Sequence, residues 1–320
     1  MKSFWQGLPH PFTVLAPMEG VTDVVFRQII SQIGRPDVFF TEFTNCDGLM
    51  SKGRRRVEDA LLFSENEQPV VAQIWGLRPE NYYKTAQYCR EKGFAGIDIN
   101  MGCPVDTVIK KGACSALIKN HSLAKEIIDA TKEGAGDLPV SVKTRIGFDS
   151  ISLTDWVGFL LQQDLAALTL HFRTVRELSK VPAHWDCLPE IMKLRQELAP
   201  KTLIIGNGDV GSLQEVKEKY DLYGCEGIMI GRGIFSNPWL FNTNVLLEEV
   251  TITDRLDLYL RHIRLFEETW EGKKNPDSLK KFAKTYIQNF PDAGSLREKV
   301  VLSKNSTDMQ KIIESYKATP

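Results

Sequence analysis

Between residues 13 and 231 the chain alternates two patterns of hydrophobic and polar positions. Short apolar runs rich in β-branched residues are typical of buried parallel strands, and longer stretches with apolar residues three or four positions apart are typical of amphipathic helices. We predict strands at Thr13–Pro17, Val38–Phe43, Val70–Trp75, Gly96–Asn100, Val140–Arg145, Ala167–Arg173, Thr202–Asn207 and Gly227–Gly231. We predict helices at Thr22–Ile33, Arg54–Leu62, Pro79–Lys92, Leu123–Lys132, Ser152–Gln162, Leu188–Leu198 and Leu213–Tyr220, with the weakest pattern at Arg54–Leu62.

Eight strand–helix units in about 235 residues have the size and rhythm of a (β/α)8 barrel, or TIM barrel. An open, doubly wound sheet is the alternative, but no G-x-G-x-x-G follows the first predicted strand and the alternation is not interrupted. After Pro238–Phe241 only helical patterns remain, such as Leu256–Trp270 and Leu279–Phe290. We therefore predict an α/β chain with a TIM barrel at residues 1–241 and a small all-helical C-terminal domain at residues 242–320.

The composition is ordinary for a soluble protein, with 42% hydrophobic and 25% charged residues in a chain of 320. The net charge of −1 provides no general attraction to nucleic acids or membranes. The basic residues are unevenly distributed, since from Thr251 onward there are 13 Lys and Arg against 10 Asp and Glu. A basic helical segment attached to a neutral-to-acidic barrel is therefore predicted.

The six cysteines show neither C-x-x-C spacing nor a paired framework, which predicts free thiols in a reducing compartment. Met1–Trp5 does not lead into the apolar core of a secretory signal, and no run approaches the roughly 20 apolar residues of a membrane helix. We expect a cytoplasmic, monomeric protein that binds neither a membrane nor a metal.

Polar side chains follow nearly every predicted strand, at the ends that a barrel brings together on one face. Five of them can carry positive charge: Lys143, Arg145, His171, Arg173 and Arg232. Cations at apolar strand ends are costly unless an anion pairs with them. The sequence therefore predicts a phosphorylated or otherwise anionic ligand at this face.

The last two strands end in the glycine turns Asn207–Asp209 and Gly231–Gly233. Loops at these positions of a barrel commonly bind phosphate through backbone N–H groups. Ordinary tight turns explain each glycine pair equally well. Their occurrence at both of the last two strands, with Arg232 in one of them, favours a phosphate site.

The strand Gly96–Asn100 runs into Met101-Gly102-Cys103-Pro104, which places a thiol beyond the strand end. A small buried cysteine is the alternative for an isolated residue of this kind. Other strand ends hold a set that resembles a flavin mononucleotide (FMN) site: Met18, Gln73, Lys143 and His171. Lys143 would stabilise negative charge on the reduced flavin ring, and Cys103 would be a proton donor rather than a nucleophile.

With these motifs the chain resembles the tRNA-dihydrouridine synthases, flavoenzymes that reduce the C5–C6 double bond of uridine in tRNA. The motifs are Leu15–Asp23, Asn100–Pro104, Ser141–Arg145, His171–Thr174, Asn207–Asp209 and Ile230–Gly233. They cover the whole predicted barrel in order, and a fainter likeness continues into Leu279–Tyr286. The resemblance implies an FMN-dependent enzyme with tRNA as its partner and NADPH or NADH as the reductant.

Residue by residue, the resemblance implies that Cys103 protonates C5 of uracil while the reduced flavin gives a hydride to C6. The implied FMN-binding residues are Pro17, Met18, Glu19, Gln73, Lys143, His171, Asn207, Gly208, Asp209, Gly231 and Arg232. The implied contacts to the target nucleotide are Asn100, Arg145 and Arg173. Residues 242–320 would bind tRNA, with Lys280, Lys281 and Lys284 towards the RNA backbone, although a solvated helix face is the alternative.

A thiol with an ordinary pKa of about 8.5 stays mostly protonated at neutral pH and can act as an acid, whereas cationic neighbours would lower that pKa. Three positions depart from the family pattern. Phe172 replaces a common Gly and is expected to reshape the sixth loop, Cys114 replaces a small Gly and is expected to be a packing thiol, and Asp106-Thr107 stands where Lys is frequent. These changes bear on the substrate subclass rather than on the chemistry.

Two other functions compete with this interpretation. A free-pyrimidine oxidoreductase of the dihydroorotate or dihydropyrimidine dehydrogenase type would share the barrel and FMN, but a free base needs no basic helical tail. A non-catalytic RNA-binding barrel is the second, and the intact set of strand-end residues disfavours it.

Overall fold

The structure is a computed structural model that describes residues 3–318. Its strands are β1 Phe12–Leu15, β2 Val38–Phe40, β3 Thr44–Asn45, β4 Val70–Trp75, β5 Gly96–Met101, β6 Val140–Arg145, β7 Ala167–His171, β8 Leu203–Asn207 and β9 Gly227–Ile230. Its α-helices are α1 Val24–Ile33, α2 Cys46–Leu49, α3 Pro79–Glu91, α4 Asp106–Ile109, α5 His121–Ala135, α6 Gly158–Leu161, α7 Leu188–Leu198, α8 Leu213–Tyr223, α9 Gly233–Ser236, α10 Ile252–Trp270, α11 Ala283–Tyr286, α12 Ala293–Leu302 and α13 Ser306–Lys317.

The strands pair in parallel and close into a barrel, because β1 pairs with both β2 and β9. β2 and β3 together occupy one strand position of the barrel, since both pair with β4. The predicted (β/α)8 barrel followed by a helical region is therefore confirmed. The bounds of β4, β6 and α7 agree with the sequence prediction at both ends.

Alternate residues of the strands fill the barrel with apolar side chains. This buried cluster comprises Trp5, Phe12, Val14, Ala16, Val38, Phe40, Val71, Ala167, Ile205 and Met229. Trp5, in the 3₁₀ helix Phe4–Gly7, packs on Phe12 with ring centroids 5.6 Å apart. Two or four residues further along the strands, the same inward face carries polar side chains such as Gln73, His171 and Asn207.

Three predicted helices have a different form. Arg54–Leu62 is a pair of 3₁₀ turns at Arg54–Arg56 and Glu58–Leu61. Ser152–Gln162 begins as a π-helical turn at Leu153–Val157 and continues as α6. Leu279–Phe290 comprises the end of a 3₁₀ helix at Pro276–Phe282, followed by α11. Over one or two turns, the spacing of apolar residues does not distinguish these helix types from an α-helix.

Contacts divide the chain into two compact units. The first comprises the described residues up to Asp23 together with Pro36–Gly231, and the second comprises Val24–Arg35 and the described residues from Arg232 onward. It stays a prediction that residues 1–241 form a catalytic domain and residues 242–320 a tRNA-binding domain. Within residues 3–318, no helix combines the length and apolar character needed to cross a bilayer.

The second unit has its own core, to which α1, α10, the 3₁₀ helix Pro276–Phe282 and α11 contribute side chains. His262 is buried, and its Nδ1 lies 2.9 Å from the Tyr286 hydroxyl oxygen. The rings of Phe26 and Phe282 stack with centroids 5.1 Å apart. Burial lowers the pKa of His262 to about 3, so this imidazole is a neutral core group.

The basic face predicted on the second unit is smaller than the sequence suggests. The Nζ of Lys280 donates to the Ser303 carbonyl at 2.8 Å and pairs with Asp277 at 2.6 Å, so this lysine is turned towards the protein. Lys281 and Lys284 are exposed. Two of the three predicted lysines therefore lie on the accessible surface.

Candidate active site

The turn that carries Cys103 is shaped by Asn100, near the end of β5. Asn100 Oδ1 accepts hydrogen bonds from the backbone N–H of Gly102 at 3.0 Å and of Cys103 at 3.1 Å. Gly102 passes close to β6, because a Cβ at this position would lie 3.3 Å from the backbone of Thr144. These constraints fix the Cys103 backbone at the carboxyl end of the strand, with the side chain half-buried.

Four side chains on β4, β5 and β6 form a buried hydrogen-bonded chain beside this turn. Gln73 Oε1 accepts from Asn100 Nδ2 at 3.1 Å, and Gln73 Nε2 donates to Asp98 Oδ2 at 2.8 Å. Asp98 Oδ1 accepts from Ser141 Oγ at 2.7 Å. Burial raises the pKa of Asp98 to about 6, although these two hydrogen bonds and the charge of Lys143 lower it. The amides of Gln73 and Asn100 therefore have fixed orientations.

Lys143 on β6 lies in register with Asn100. Its Nζ is 3.3 Å from Asn207 Oδ1, and Asn207 Nδ2 in turn donates to the Met229 carbonyl at 2.8 Å. Burial, followed by the positive charge of Arg145, lowers the pKa of Lys143 to about 8. A half-buried ammonium group on the inward face of the barrel end is suited to stabilising negative charge on a ligand.

Arg145, predicted to contact the target nucleotide, is buried and holds the loops around Cys103. Its Nε donates to the Gly102 carbonyl at 3.0 Å, and its Nη1 donates to the carbonyls of Thr174 at 2.9 Å and Leu178 at 2.8 Å. Burial lowers the pKa of Arg145 to about 10, so it stays charged at neutral pH. Arg145 therefore anchors the Cys103 turn, and its contact to substrate stays a prediction.

Three predicted site residues meet at the ends of β7 and β8. Arg173, only 2% exposed, pairs through Nη2 with the Asp209 carboxylate, and its Nη1 lies 3.1 Å from His171 Nε2. The same carboxylate accepts the Ala183 backbone N–H at 2.9 Å. Because Asp209 balances its charge, Arg173 needs no anionic ligand to be tolerated here. The cationic side chains at the strand ends led us to expect an anionic ligand. Arg173 gives less support to that expectation, because its charge is already balanced.

The glycine turns bring further predicted residues together. A Cβ at Gly231 would lie 3.9 Å from Met18 Sδ. Gly208 has φ 133°, and a Cβ there would lie 2.8 Å from Ala183 Cβ and 3.3 Å from His171 Cδ2, so the turn requires glycine. The remaining predicted cofactor positions are the half-buried Pro17, the exposed Glu19 and the exposed Arg232, which belongs to the second unit.

A second thiol lies beside Cys103. Cys114 is 1% exposed at the start of the 3₁₀ helix Cys114–Lys119. Hydrogen bonding with the Cys114 thiol, followed by a backbone N–H and nearby cations, lowers the pKa of Cys103 to about 6, against the effect of burial. The pKa of Cys114 is raised, first by its bond to Cys103 and then by burial. At neutral pH the Cys103 thiol is therefore mostly ionised, contrary to the expectation of a mostly protonated thiol, and only its protonated fraction can act as an acid.

Sequence reasoning missed three members of this site: Asp98, Ser141 and the contact made by Cys114. Asp98 precedes Asn100 by two residues, so the two-residue period of a strand indicates that both face inward. The same relation holds between Ser141 and Lys143. No spacing rule indicates the contact of Cys114, because a loop and the short helix α4 separate it from Cys103.

Phe172, a departure from the family pattern, is part of the barrel wall. Its ring packs on Trp185 with centroids 4.6 Å apart, and Trp185 Nε1 donates to the Gly208 carbonyl at 2.8 Å. A Cβ at Gly206 would lie 2.6 Å from the Trp185 ring. Phe172 thus supports the glycine turn after β8 through Trp185.

The closed parallel barrel with polar side chains at the carboxyl ends of its strands has the form of a TIM-barrel enzyme. The sequence matches the profile of the Dihydrouridine synthase (Dus) family over residues 14–319, and the chain belongs to this family. It is 45% identical over 318 residues to "Probable tRNA-dihydrouridine synthase 2" of Bacillus subtilis (strain 168), covering 98% of this chain and 97% of that one. It is 44% identical over 320 residues to "Probable tRNA-dihydrouridine synthase" of Staphylococcus aureus (strain MRSA252), covering 99% and 96%. The predicted family and enzyme class are confirmed.

The fold resembles solved barrels of low sequence identity. Morphinone reductase in complex with tetrahydroNAD matches with a TM-score of 0.51 and 14% identity over 76% of this chain and 89% of that one. A variant of NCR from Zymomonas mobilis matches with a TM-score of 0.51 and 14% identity over 79% and 95%. At such identities the likeness concerns the fold alone.

Proposed function

We propose that the protein is an FMN-dependent tRNA-dihydrouridine synthase that reduces the C5–C6 double bond of uridine in tRNA. The observation that carries the proposal is the half-buried thiol of Cys103 at a strand end, next to the fixed amide of Asn100 and near the charge of Lys143. Family membership and curated relatives with this activity in their names support it. We further propose a cytoplasmic site of action and a monomeric chain, as the sequence predicts.

The residues present suit FMN. Lys143 and Gln73 offer an ammonium group and an amide of defined orientation for the pyrimidine edge of a flavin, and the glycine turns at Gly208 and Gly231 offer backbone N–H groups for a phosphate. A Cβ at Gly231 would lie 3.6 Å from Ala16 Cβ, an ordinary contact distance, so the backbone of this turn is not overpacked. When bound, reduced FMN supplies the hydride for C6 of uracil, and NADPH or NADH is the proposed source of its electrons.

Cys103 is the proposed acid. Its S–H bond breaks as the C5–H bond of the base forms, the electron pair stays on sulfur, and solvent later returns the proton. Asn100 and Arg145 hold the turn that presents the thiol, since both bind the peptide group that joins Gly102 to Cys103. Because the base must leave its stack to reach the barrel end, tRNA contacts elsewhere on the protein have to offset a cost of roughly a few kcal/mol.

The substitution Cys103→Ala tests this role. We expect the variant to retain bound flavin, measured by its absorbance, and to lose about 100-fold or more of its dihydrouridine formation on tRNA, because a positioned general acid contributes on that order. Cys187→Ala is the matched control, since Cys187 is another half-buried thiol and lies in the 3₁₀ helix Trp185–Cys187. Full product yield by the Cys103→Ala variant would remove Cys103 from the chemistry.

The same assay separates the proposal from a free-pyrimidine oxidoreductase. We expect turnover on unmodified tRNA and none on free uridine or uracil at matched concentration. Equal turnover on a free base would favour the alternative function.

A further inference from the structure

The chain turns sharply where β7 ends, and this turn sets an arginine beside a histidine. The backbone N–H of Arg173 donates to the His171 carbonyl at 2.7 Å, a bond between residues i and i+2 that is typical of a γ-turn. Phe172, the residue between them, is fully buried. With this backbone, Arg173 Nη1 lies 3.1 Å from His171 Nε2, so the guanidinium is hydrogen-bonded to the imidazole.

Other groups of the protein hold the remaining sides of the Arg173 guanidinium. Nε donates to the Val181 carbonyl at 2.5 Å, and Nη2 pairs with the Asp209 carboxylate. The carboxylate also accepts the Ala183 backbone N–H at 2.9 Å, so the loop after β7 and the turn after β8 are joined at this point. Because Arg173 is only 2% exposed and its charge is balanced, little of it is left for the predicted contact to the target nucleotide.

The contact with Arg173 determines which ring nitrogen of His171 carries a proton. A guanidinium has five N–H donors and no acceptor, so the imidazole nitrogen must be the acceptor in this hydrogen bond. A ring nitrogen that accepts has no proton of its own, and the single proton of the imidazole then lies on the other nitrogen. In His171, Nε2 is therefore the acceptor and Nδ1 the donor.

The imidazole of His171 belongs to the surface at the carboxyl end of the barrel. It is half-buried, in register with Arg145 on β6 and with Asn207 on β8. The turn after β8 lies against the ring, since a Cβ at Gly208 would be 3.3 Å from His171 Cδ2. FMN is proposed to bind at this end of the barrel, so a fixed tautomer of His171 bears on the binding of that ligand.

We propose that Arg173 is a positioning residue for His171: its guanidinium donates to Nε2 and so keeps the imidazole proton on Nδ1, as a fixed donor for FMN. The inference rests on the proposed FMN cofactor. Asp209 belongs to the same arrangement, because its carboxylate balances the charge of Arg173 and orients the guanidinium. Both residues then act through His171, whereas the family resemblance implies that Arg173 contacts the nucleotide and Asp209 the FMN. A donor that is already in place makes binding less costly than one that must first change tautomer.

The tautomer is measurable in the flavin-loaded protein by nitrogen-15 NMR. Labelled histidine gives ring-nitrogen signals from five residues, and the variant His171→Asn identifies those of His171 by their loss. Protonated and unprotonated ring nitrogens differ widely in chemical shift. At neutral pH we expect an unprotonated Nε2 and a protonated Nδ1. A proton on Nε2, or on both nitrogens, would overturn the inference, and this result does not depend on whether any variant of Arg173 folds.

The double variant Arg173→Met with Asp209→Asn removes the donor without leaving an unpaired carboxylate. We expect His171 to become a mixture of the two tautomers. FMN, followed by its fluorescence, should bind about tenfold more weakly, because the hydrogen bond to this anionic ligand is no longer prepared in advance. FMN affinity equal to that of wild type would contradict the inference.

The control is Arg195→Met with Glu226→Gln, which removes another poorly exposed ion pair, between α7 and the residue that precedes β9. It should change neither the His171 signals nor the affinity for FMN. An equal effect of both double variants would assign the loss to general destabilisation and overturn the inference.

The two levels of the proposal fail differently. A wild-type protein that binds no FMN defeats the proposed function, and with it the purpose of the fixed tautomer. A wild-type protein that binds FMN and forms dihydrouridine while His171 carries its proton on Nε2 defeats the role of Arg173 alone.

Discussion

A single buried carboxyl group, Asp98, fixes the orientation of the side-chain amides at the carboxyl end of the barrel. It is fully buried and accepts hydrogen bonds from Gln73 Nε2 and Ser141 Oγ. Because the Nε2 of Gln73 is turned towards Asp98, its Oε1 is turned towards Asn100 and accepts a hydrogen bond from Asn100 Nδ2. Two hydrogen bonds and the charge of Lys143 do not fully offset burial, because the pKa of Asp98 still rises to about 6. A residue that orients the proposed ligand-binding amides therefore destabilises the fold at neutral pH.

The substitution Asp98→Asn should reveal this cost through the pH dependence of stability. Between about pH 4 and pH 6 the folded protein holds a proton on Asp98 that the unfolded chain has released, so the free energy of unfolding falls as pH rises through this window. The shift from 3.8 to about 6 corresponds to about 3 kcal/mol. In urea unfolding, wild type should lose about that much relative to Asp98→Asn between pH 4 and pH 7.

The matched control for this experiment is Asp129→Asn on α5, a carboxyl-to-amide change at an exposed residue that pairs with Lys125. Its stability relative to wild type should change little with pH. A difference between wild type and Asp98→Asn that stays constant from pH 4 to pH 7 would mean that Asp98 is not held at a raised pKa.

At the scale of elements, closure of the barrel depends on one close approach between β1 and β9. Phe12 lies opposite Gly227, and a Cβ at Gly227 would lie 2.2 Å from the Phe12 ring. Gly227→Ala should therefore destabilise the protein by about 1–3 kcal/mol through overpacking, measured by chemical denaturation. Gly7→Ala is the control, because no neighbouring atom lies within 4 Å of its Cβ position, and it should change stability by under about 0.5 kcal/mol. Equal stability of the two variants would contradict this account of the closure.

Clear stop signals flank the elements whose two bounds the sequence predicts correctly. β4 lies between Pro69 and Gly76, and α7 ends just before Ala199-Pro200. The sequence predicts one strand at Val38–Phe43, because nothing in it marks a break, but β2 ends at Phe40 and β3 lies beyond the predicted bounds at Thr44–Asn45. There Thr41 Oγ1 accepts the Gln73 backbone N–H at 3.0 Å, so a side chain interrupts the backbone pairing.

The candidate site was predictable to the extent that topology determines it. Lys143, His171 and Asn207 lie at the ends of adjacent parallel strands, so the order of the strands brings them together. The pairing of Arg173 with Asp209 depends on the paths of two loops, as does the contact of Cys114 with Cys103. Neither follows from residue spacing, and both change the chemistry expected of the site.

The whole molecule has a net charge of −1, but its second unit is basic. This uneven distribution of charge matters because the proposed substrate, tRNA, is a polyanion. Binding that neutralises phosphates releases counterions, so affinity falls as the salt concentration rises. The slope of log K against log salt concentration is proportional to the number of phosphate contacts. Because Lys280 is bound to Ser303 and Asp277, the proposed contacts to RNA on this segment reduce to Lys281 and Lys284.

The double substitution Lys281→Ala and Lys284→Ala tests whether this face binds tRNA. We expect weaker binding and a salt dependence, as log K against log salt concentration, that is less steep by roughly one unit per lysine. The control is Lys125→Ala with Lys217→Ala, which removes the same charge from exposed lysines on α5 and α8. A loss of slope confined to the first variant indicates local phosphate contacts, because a general effect of net charge would appear equally in both. Identical slopes in both variants and wild type would mean that Lys281 and Lys284 make no phosphate contacts, so that the tRNA is held by other residues.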